Sequence, residues 1–218
     1  LFDVFDIVRY LMGTVNNKHC ILTLHYNPNF DANFTHSQNP VHICCDADLS
    51  NDTTTKRSRI GFCGYLFGNL VGWCSRRQPS VSLSTAESEY MAISASAQFA
   101  KWYKGLVADM GLETAIYEPI VILTDSKSAQ QIANSDVARV NKYSKHISQR
   151  VHWFRELIRD KVIRVNHLPG EGNQADIFTK VLGKTKFRKC RDRLLQGDRR
   201  LLRDMQLTCI TKFHLSLP

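Results

Sequence analysis

Residues 41–48, VHICCDAD, form a short apolar run that ends in two carboxylates. Such a run reads as a buried strand whose last residues emerge at the end of a sheet. Beyond it, IGFCGYLF (60–67) and NLVGWCS (69–75) are β-rich, with Gly68 and Asn69 suited to a tight hairpin turn between them. Gly61 with Gly64 and Gly170 with Gly172 read as hairpin and turn glycines, because no phosphate-loop pattern surrounds them. Ser84 and Thr85, with Glu87 and Ser88 behind them, are close to a capping box opening a helix that runs to about Gly111. Within it Met91, Ala95, Phe99, Trp102, Leu106 and Met110 recur at spacings of three and four, and Ile93, Ala97 and Ala100 populate a neighbouring face. That pattern predicts a mostly buried helix.

EPIVILTD (118–125) is a second apolar run ending in an acid. A short helix from about Lys127 to Asn134 follows, the pattern of a parallel strand and its crossover helix. A basic amphipathic helix from about Ser144 to Asp160, the strand VIRVNHL and a final helix beginning near Asn173 complete the order β-β-β-α-β-α-α-β-α. The fold class is therefore α/β.

The 218 residues suffice for one domain with modest extensions. No apolar run approaches the roughly 20 residues of a membrane span. Lys and Arg outnumber Asp and Glu, 29 against 20, so the surface should attract polyanions such as nucleic acid. Seven cysteines without a C-x-x-C pair suggest neither a disulfide framework nor a zinc ribbon, and a reducing compartment fits better. The opening LFDVFDIVRY starts at Leu1 and lacks the marks of a signal peptide, so the chain reads as cut from something longer. Residues 27–40 are rich in Asn, Pro and Ser and read as a linker, which starts the compact domain near Val41.

Four elements each place an acid at one end: Asp46, Asp125, Asp176, and Glu87 or Glu89 at the start of the first helix. Any one alone is explained by a turn or by a helix dipole. As a set, in the contexts DAD, AESEYMA, TDSKSA and NQAD, they read as functional, because strand ends and neighbouring helix starts converge at one edge of an α/β sheet. Hard cations take oxygen ligands, and two of them about 3.5–4 Å apart activate water and stabilise the leaving oxygen in phosphodiester cleavage. Helical phase alone does not choose between Glu87 and Glu89.

In order along the chain stand RYLMGT (9–14), CDAD (45–48), KRSRIGF (56–62), GWCSRRQPSVSLSTAESEYMA (72–92), TDSKSA (124–129), KHISQRVHWFRE (145–156) and QADIFTK (174–180). With these motifs the sequence resembles the ribonuclease H domain of copia-type LTR retrotransposon Pol polyproteins over roughly residues 8 to 190. The resemblance implies a ribonuclease H-like fold, a mixed five-stranded sheet with helices on both faces. It implies that Asp46, Glu89, Asp125 and Asp176 are catalytic and bind two Mg2+ or Mn2+ ions, with the E-Y-M-A context favouring Glu89 and leaving Glu87 as a cap. The activity it implies is hydrolysis of the RNA strand of RNA/DNA hybrids during reverse transcription, beside a reverse transcriptase of the same polyprotein in cytoplasmic virus-like particles. RYLMGT resembles the end of that reverse transcriptase. The expected organisation is a reverse transcriptase remnant and linker at 1–40, a ribonuclease H domain at 41–190 and a tail at 191–218.

Departures from the family pattern fall at Leu49 and Ser50, usually an aromatic and Gly, at Ser148 for the usual Asp of KHID, and at Val181 for the usual Pro. None is an acid of the set. Residues 139–161 carry seven Lys or Arg interleaved with Tyr143, Trp153 and Phe154, and Lys142, Lys145 and Arg150 are the expected phosphate contacts. A ribonuclease of this kind reads shape and 2′-hydroxyls, not bases. His167 is open to two readings, a proton shuttle or a structural strand-end residue. Two rival functions compete with this reading. An integrase-like enzyme would place its Glu helix after the second strand-borne Asp, which this order excludes, whereas a degenerate, non-catalytic nucleic-acid-binding remnant stays open.

Overall fold

The structure, a computed structural model, describes residues 41–66, 69–109, 119–134 and 145–196. The expected reverse transcriptase remnant and linker lie outside the described residues, as does the chain beyond 196. Five strands, β1 (Val41–Asp48), β2 (Arg59–Leu66), β3 (Asn69–Arg77), β4 (Ile120–Thr124) and β5 (Ile163–His167), form one sheet in the order β3-β2-β1-β4-β5. β1 pairs antiparallel with β2, and β2 with β3, while β1–β4 and β4–β5 are parallel. The helices are α1 (Thr85–Asp109), α2 (Lys127–Asn134), α3 (Lys145–Arg159) and α4 (Lys184–Gln196). Two short 3-10 turns, Gly170–Gly172 and Gln174–Phe178, lie between β5 and α4. This is the ribonuclease H-like arrangement that the resemblance implied.

Alternation along β1 explains why its run is apolar throughout. Val41, Ile43, Cys45 and Ala47 face the larger core with α1, α2 and α3, whereas Cys44 faces a smaller one that includes Cys63, Tyr65, Val121, Leu123, Ala175 and Leu194. Helical segments therefore cover both faces. The buried thiols Cys44, Cys45 and Cys63 are unbridged and pack as small apolar groups. Among the described residues no helix is long and apolar enough to cross a membrane.

Helix α1 departs from its expected phase. Its first half is buried all round from Glu87 to Ala97, but beyond that the buried residues are Ala100, Tyr103 and Val107, and Trp102 is 58% exposed. The small side chains at 97 and 100 let the backbone lie close to the sheet, so the Ile93 face wins over the more bulky Phe99–Trp102 face.

The glycines of β2 are not hairpin residues either. Gly64 pairs with Gly72 of β3, and a Cβ on either would strike the Phe99 ring, so the two clear a slot for it. Asn69 already belongs to β3, paired with Leu66. The final helix also starts later than expected. The stretch from Gln174 forms only a 3-10 turn, capped by Asn173, whose side chain accepts from the Ala175 amide and donates to the Cys45 carbonyl. Anchoring to β1 thus decides this segment's shape, and α4 begins at Lys184 and runs past 190 to Gln196.

Candidate active site

Asp46 is fully buried near the end of β1, the central strand. Asp125 follows the last residue of β4, the parallel neighbour, and is fixed by what comes next: Ser126 accepts from the Ala129 amide and caps α2. Glu89 lies in the first turns of α1 and is 4% exposed. One carboxylate oxygen from each of these three residues lies within 4.8 Å of the others. The parallel β1–β4 pairing and the packing of α1 on the sheet bring together acids that the chain keeps far apart.

The helix start separates the two glutamates. Ser84 accepts from the Glu87 amide, and the Glu87 carboxylate accepts from the Leu83 amide at 2.8 Å, which is capping-box chemistry displaced by one residue. Glu87 is thereby occupied at the cap, and Glu89 is the one that joins Asp46 and Asp125. Glu87→Gln keeps a carbonyl acceptor for the Leu83 amide and loses only the charge at the helix N-terminus, so it is expected to cost about 0.3–1 kcal/mol of stability, measured by urea unfolding, and to leave the acid group intact.

The electrostatics of the group mark a shortage of positive charge. Burial, then the charges of Asp46 and Asp125, push the Glu89 carboxyl up to about 9 from 4.5, although the Ala47 amide hydrogen-bonds it. Its Oε2 has no hydrogen-bond partner among the described residues. Burial likewise raises Asp46 to about 6, even with the Thr179 hydroxyl and the Lys180 ammonium on its two oxygens.

Asp176, the fourth expected acid, is buried in the 3-10 turn and stands outside the three-acid group. Two ammonium groups hold it: Lys180 at 2.9 Å on Oδ1, and Lys186 from α4 on Oδ2. Lys180 also reaches Asp46 at 3.0 Å, so one ammonium bridges two buried carboxylates. Burial alone would lower the Lys180 ammonium, but its bonds to Asp176 and Asp46 outweigh that and raise it.

Thr179 and Lys180 lie in the QADIFTK motif, yet local spacing assigns them no role, because their partner Asp46 is more than 130 positions away. Gly61 makes the arrangement possible. It sits directly across from Asp46 on β2, and a Cβ there would lie 2.7 Å from Thr179 Cγ2 and 2.8 Å from Phe178 Cβ. Gly61→Ala is therefore expected to displace the 3-10 turn from the sheet, costing roughly 1–3 kcal/mol in thermal unfolding.

Of the expected phosphate contacts, Lys142 lies outside the described residues. Lys145 and Arg150 are placed on α3. His167 ends β5 and pairs with Thr124, one residue before Asp125.

Three oxygen donors, one with an unsatisfied buried atom, fit a hard divalent cation, which prefers carboxylates and would supply the missing positive charge.

No protein-family profile matches the chain. A retrovirus-related Pol polyprotein from transposon TNT 1-94 of Nicotiana tabacum is 30% identical over 186 residues, 85% of this chain and 13% of that protein. The chain is a homologue of copia-type transposon Pol polyproteins. A Pol polyprotein from transposon RE2 of Arabidopsis thaliana is 28% identical over 147 residues, 67% of this chain and 10% of that protein. The chain thus spans about an eighth or less of the polyproteins it matches. LC11-RNase H1, isolated from compost by a metagenomic approach, superposes with a TM-score of 0.47 at 15% identity, covering 65% of this chain and 93% of that one. At such a score the fold rests on the strand order and register given above.

Proposed function

We propose that this Pol segment is a ribonuclease H, an endonuclease that hydrolyses the RNA strand of RNA/DNA hybrids during retrotransposon reverse transcription. The observation that carries the proposal is the group of buried Asp46 and Glu89 with half-buried Asp125, and its unsatisfied Glu89 oxygen. In this reading the three acids hold one Mg2+ or Mn2+ ion, and Asp46 with Asp176 serves a second. The bound cations supply Lewis acidity toward phosphate oxygens and make water a nucleophile at neutral pH.

The chain's own residues do the rest. The Asn173 side chain ties the 3-10 turn to β1, Thr179 orients Asp46, and Ser126 holds the chain beside Asp125 by capping α2. The net charge of +9 draws in the polyanionic duplex. Lys142, Lys145 and Arg150 contact its phosphates and fix its position without reading sequence. The domain boundaries expected at 41 and 190, the reverse transcriptase partner in the same polyprotein and the particle location in the cytoplasm belong to the same proposal.

The test is incubation of the 218-residue chain with labelled RNA/DNA hybrid, single-stranded RNA and double-stranded DNA, each with Mg2+ or Mn2+ and with EDTA. Cutting confined to the RNA of the hybrid, and lost in EDTA, is the expected result. Binding of the hybrid without cutting in either metal would favour the non-catalytic remnant.

A further inference from the structure

We propose that the Lys180 ammonium is a built-in cation on the Asp46–Asp176 side of the centre, so that the chain takes one divalent ion readily and admits a second only when Lys180 withdraws. The inference rests on the reading of the three acids as a cation site. Its geometry joins one of those acids, Asp46, to Asp176 and Lys180, which stand outside the group. Lys180 Nζ lies 3.0 Å from Asp46 Oδ1 and 2.9 Å from Asp176 Oδ1, spanning two buried carboxylates as a bridging metal ion would.

The centre is therefore divided. Asp176 is neutralised on both oxygens by Lys180 and Lys186, and Asp46 has its oxygens on Thr179 and Lys180. Glu89, by contrast, keeps an orphaned oxygen within the group it forms with Asp46 and Asp125. A cation arriving from solvent meets the unsatisfied Glu89 oxygen in the three-acid group and an existing positive charge on the Asp176 side. Like charges cannot share the bridge, so a second ion must compete with the ammonium.

Lys180 is suited to leave. It follows Asp176 by four residues, with its backbone amide donating to the Asp176 carbonyl at 2.9 Å, so the main chain stays in place when the side chain swings. The side chain is 36% exposed, which gives the ammonium a path to water, and Lys186 remains on Asp176 in its absence. Thr179 stays on Asp46 as well.

The test counts Mn2+ ions on the full chain by calorimetric titration and by electron paramagnetic resonance of the unbound ion, for wild type, Lys180→Gln and Lys180→Arg. Wild type is expected to bind one ion well and a second weakly. Lys180→Gln should tighten the second on the order of tenfold, the scale on which residues around a metal site tune its affinity. Lys180→Arg should behave as wild type.

A measurement on the unaltered chain guards against misfolding of the variant. Acetylation of Lys180 by an amine-reactive ester, followed by mass spectrometry with Lys184 as reference, should accelerate as Mn2+ is raised into the range of the second ion. Identical Mn2+ isotherms for wild type and Lys180→Gln, or Lys180 acetylation that ignores Mn2+, would overturn the inference while leaving the three-acid site standing. Absence of Mn2+ binding in every protein would overturn both.

Discussion

Glu89→Gln is expected to stabilise the metal-free chain by roughly 1–3 kcal/mol at about pH 8, the scale for removing an uncompensated buried group, while removing hybrid cleavage. Folded Glu89 titrates near about 9 against an ordinary 4.5, so between these values the folded chain retains a proton that the unfolded chain has released. Its contribution to stability is complete below about pH 4.5, declines as the pH rises and is gone above about pH 9. Asp46, raised to about 6 from 3.8, acts in the same direction over its narrower window. Glutamine has no such dependence. Urea unfolding in EDTA should therefore show the advantage of Glu89→Gln widening with pH. Added Mn2+ should stabilise wild type increasingly with pH, because a cation binds the deprotonated acids. A Glu89→Gln chain less stable than wild type at about pH 8 would contradict this description of the centre.

Phe154→Ala carries the largest expected loss of stability. Phe154 is fully buried on α3 and stacks on Tyr90 of α1 with ring centroids 6.1 Å apart. Removing a buried aromatic ring costs about 3–5 kcal/mol, against a total stability of roughly 5–15 kcal/mol for a domain. Scanning calorimetry should show the melting temperature falling by about 10 °C or more. Tyr90 follows Glu89 directly, so the same change loosens the helix turn that holds the acid. Phe154→Leu, which keeps most of the volume, should recover most of the loss. A melting temperature unchanged in Phe154→Ala would mean that α3 does not pack on α1 as described.

What the sequence disclosed, it disclosed through local pattern. Apolar runs ending in acids located β1 and β4, since strands at the middle of a sheet are covered on both faces and must be apolar until they leave it. The short helix after Asp125, Lys127 to Asn134, was legible because it follows directly on a strand and Ser126 caps it. Helical phase left Glu87 and Glu89 open and the family context favoured Glu89; the Leu83 amide on the Glu87 carboxylate adds the physical reason, because it engages Glu87 at the cap.

The misread features are those set by distant partners. Gly61 and Gly64 look like hairpin glycines in a glycine-rich strand, but their lack of a side chain accommodates Thr179, Phe178 and Phe99. The phase of α1 shifts because Ala97 and Ala100 are fully buried, while Phe99 enters the slot left by Gly64 and Gly72 and Trp102 stays exposed. The stretch around Asp176 was expected to be the first turn of the final helix. Its shape is instead fixed by Asn173 on β1 and by ammonium groups from Lys180 and Lys186. No local spacing encodes the approach of Lys180 to Asp46.

The most direct measurement is single-turnover cleavage of an RNA/DNA hybrid in Mn2+ by the full chain and by Asp125→Asn. Asp125 is chosen because it belongs to the three-acid group and has no part in the Thr179 and Lys180 contacts that hold the 3-10 turn to β1. Loss of several kcal/mol of transition-state stabilisation should slow the RNA strand's cleavage by at least about 10³-fold, with the circular dichroism spectrum unchanged. Cleavage by Asp125→Asn at the wild-type rate would contradict the claim that these carboxylates are the centre of a metal-dependent nuclease.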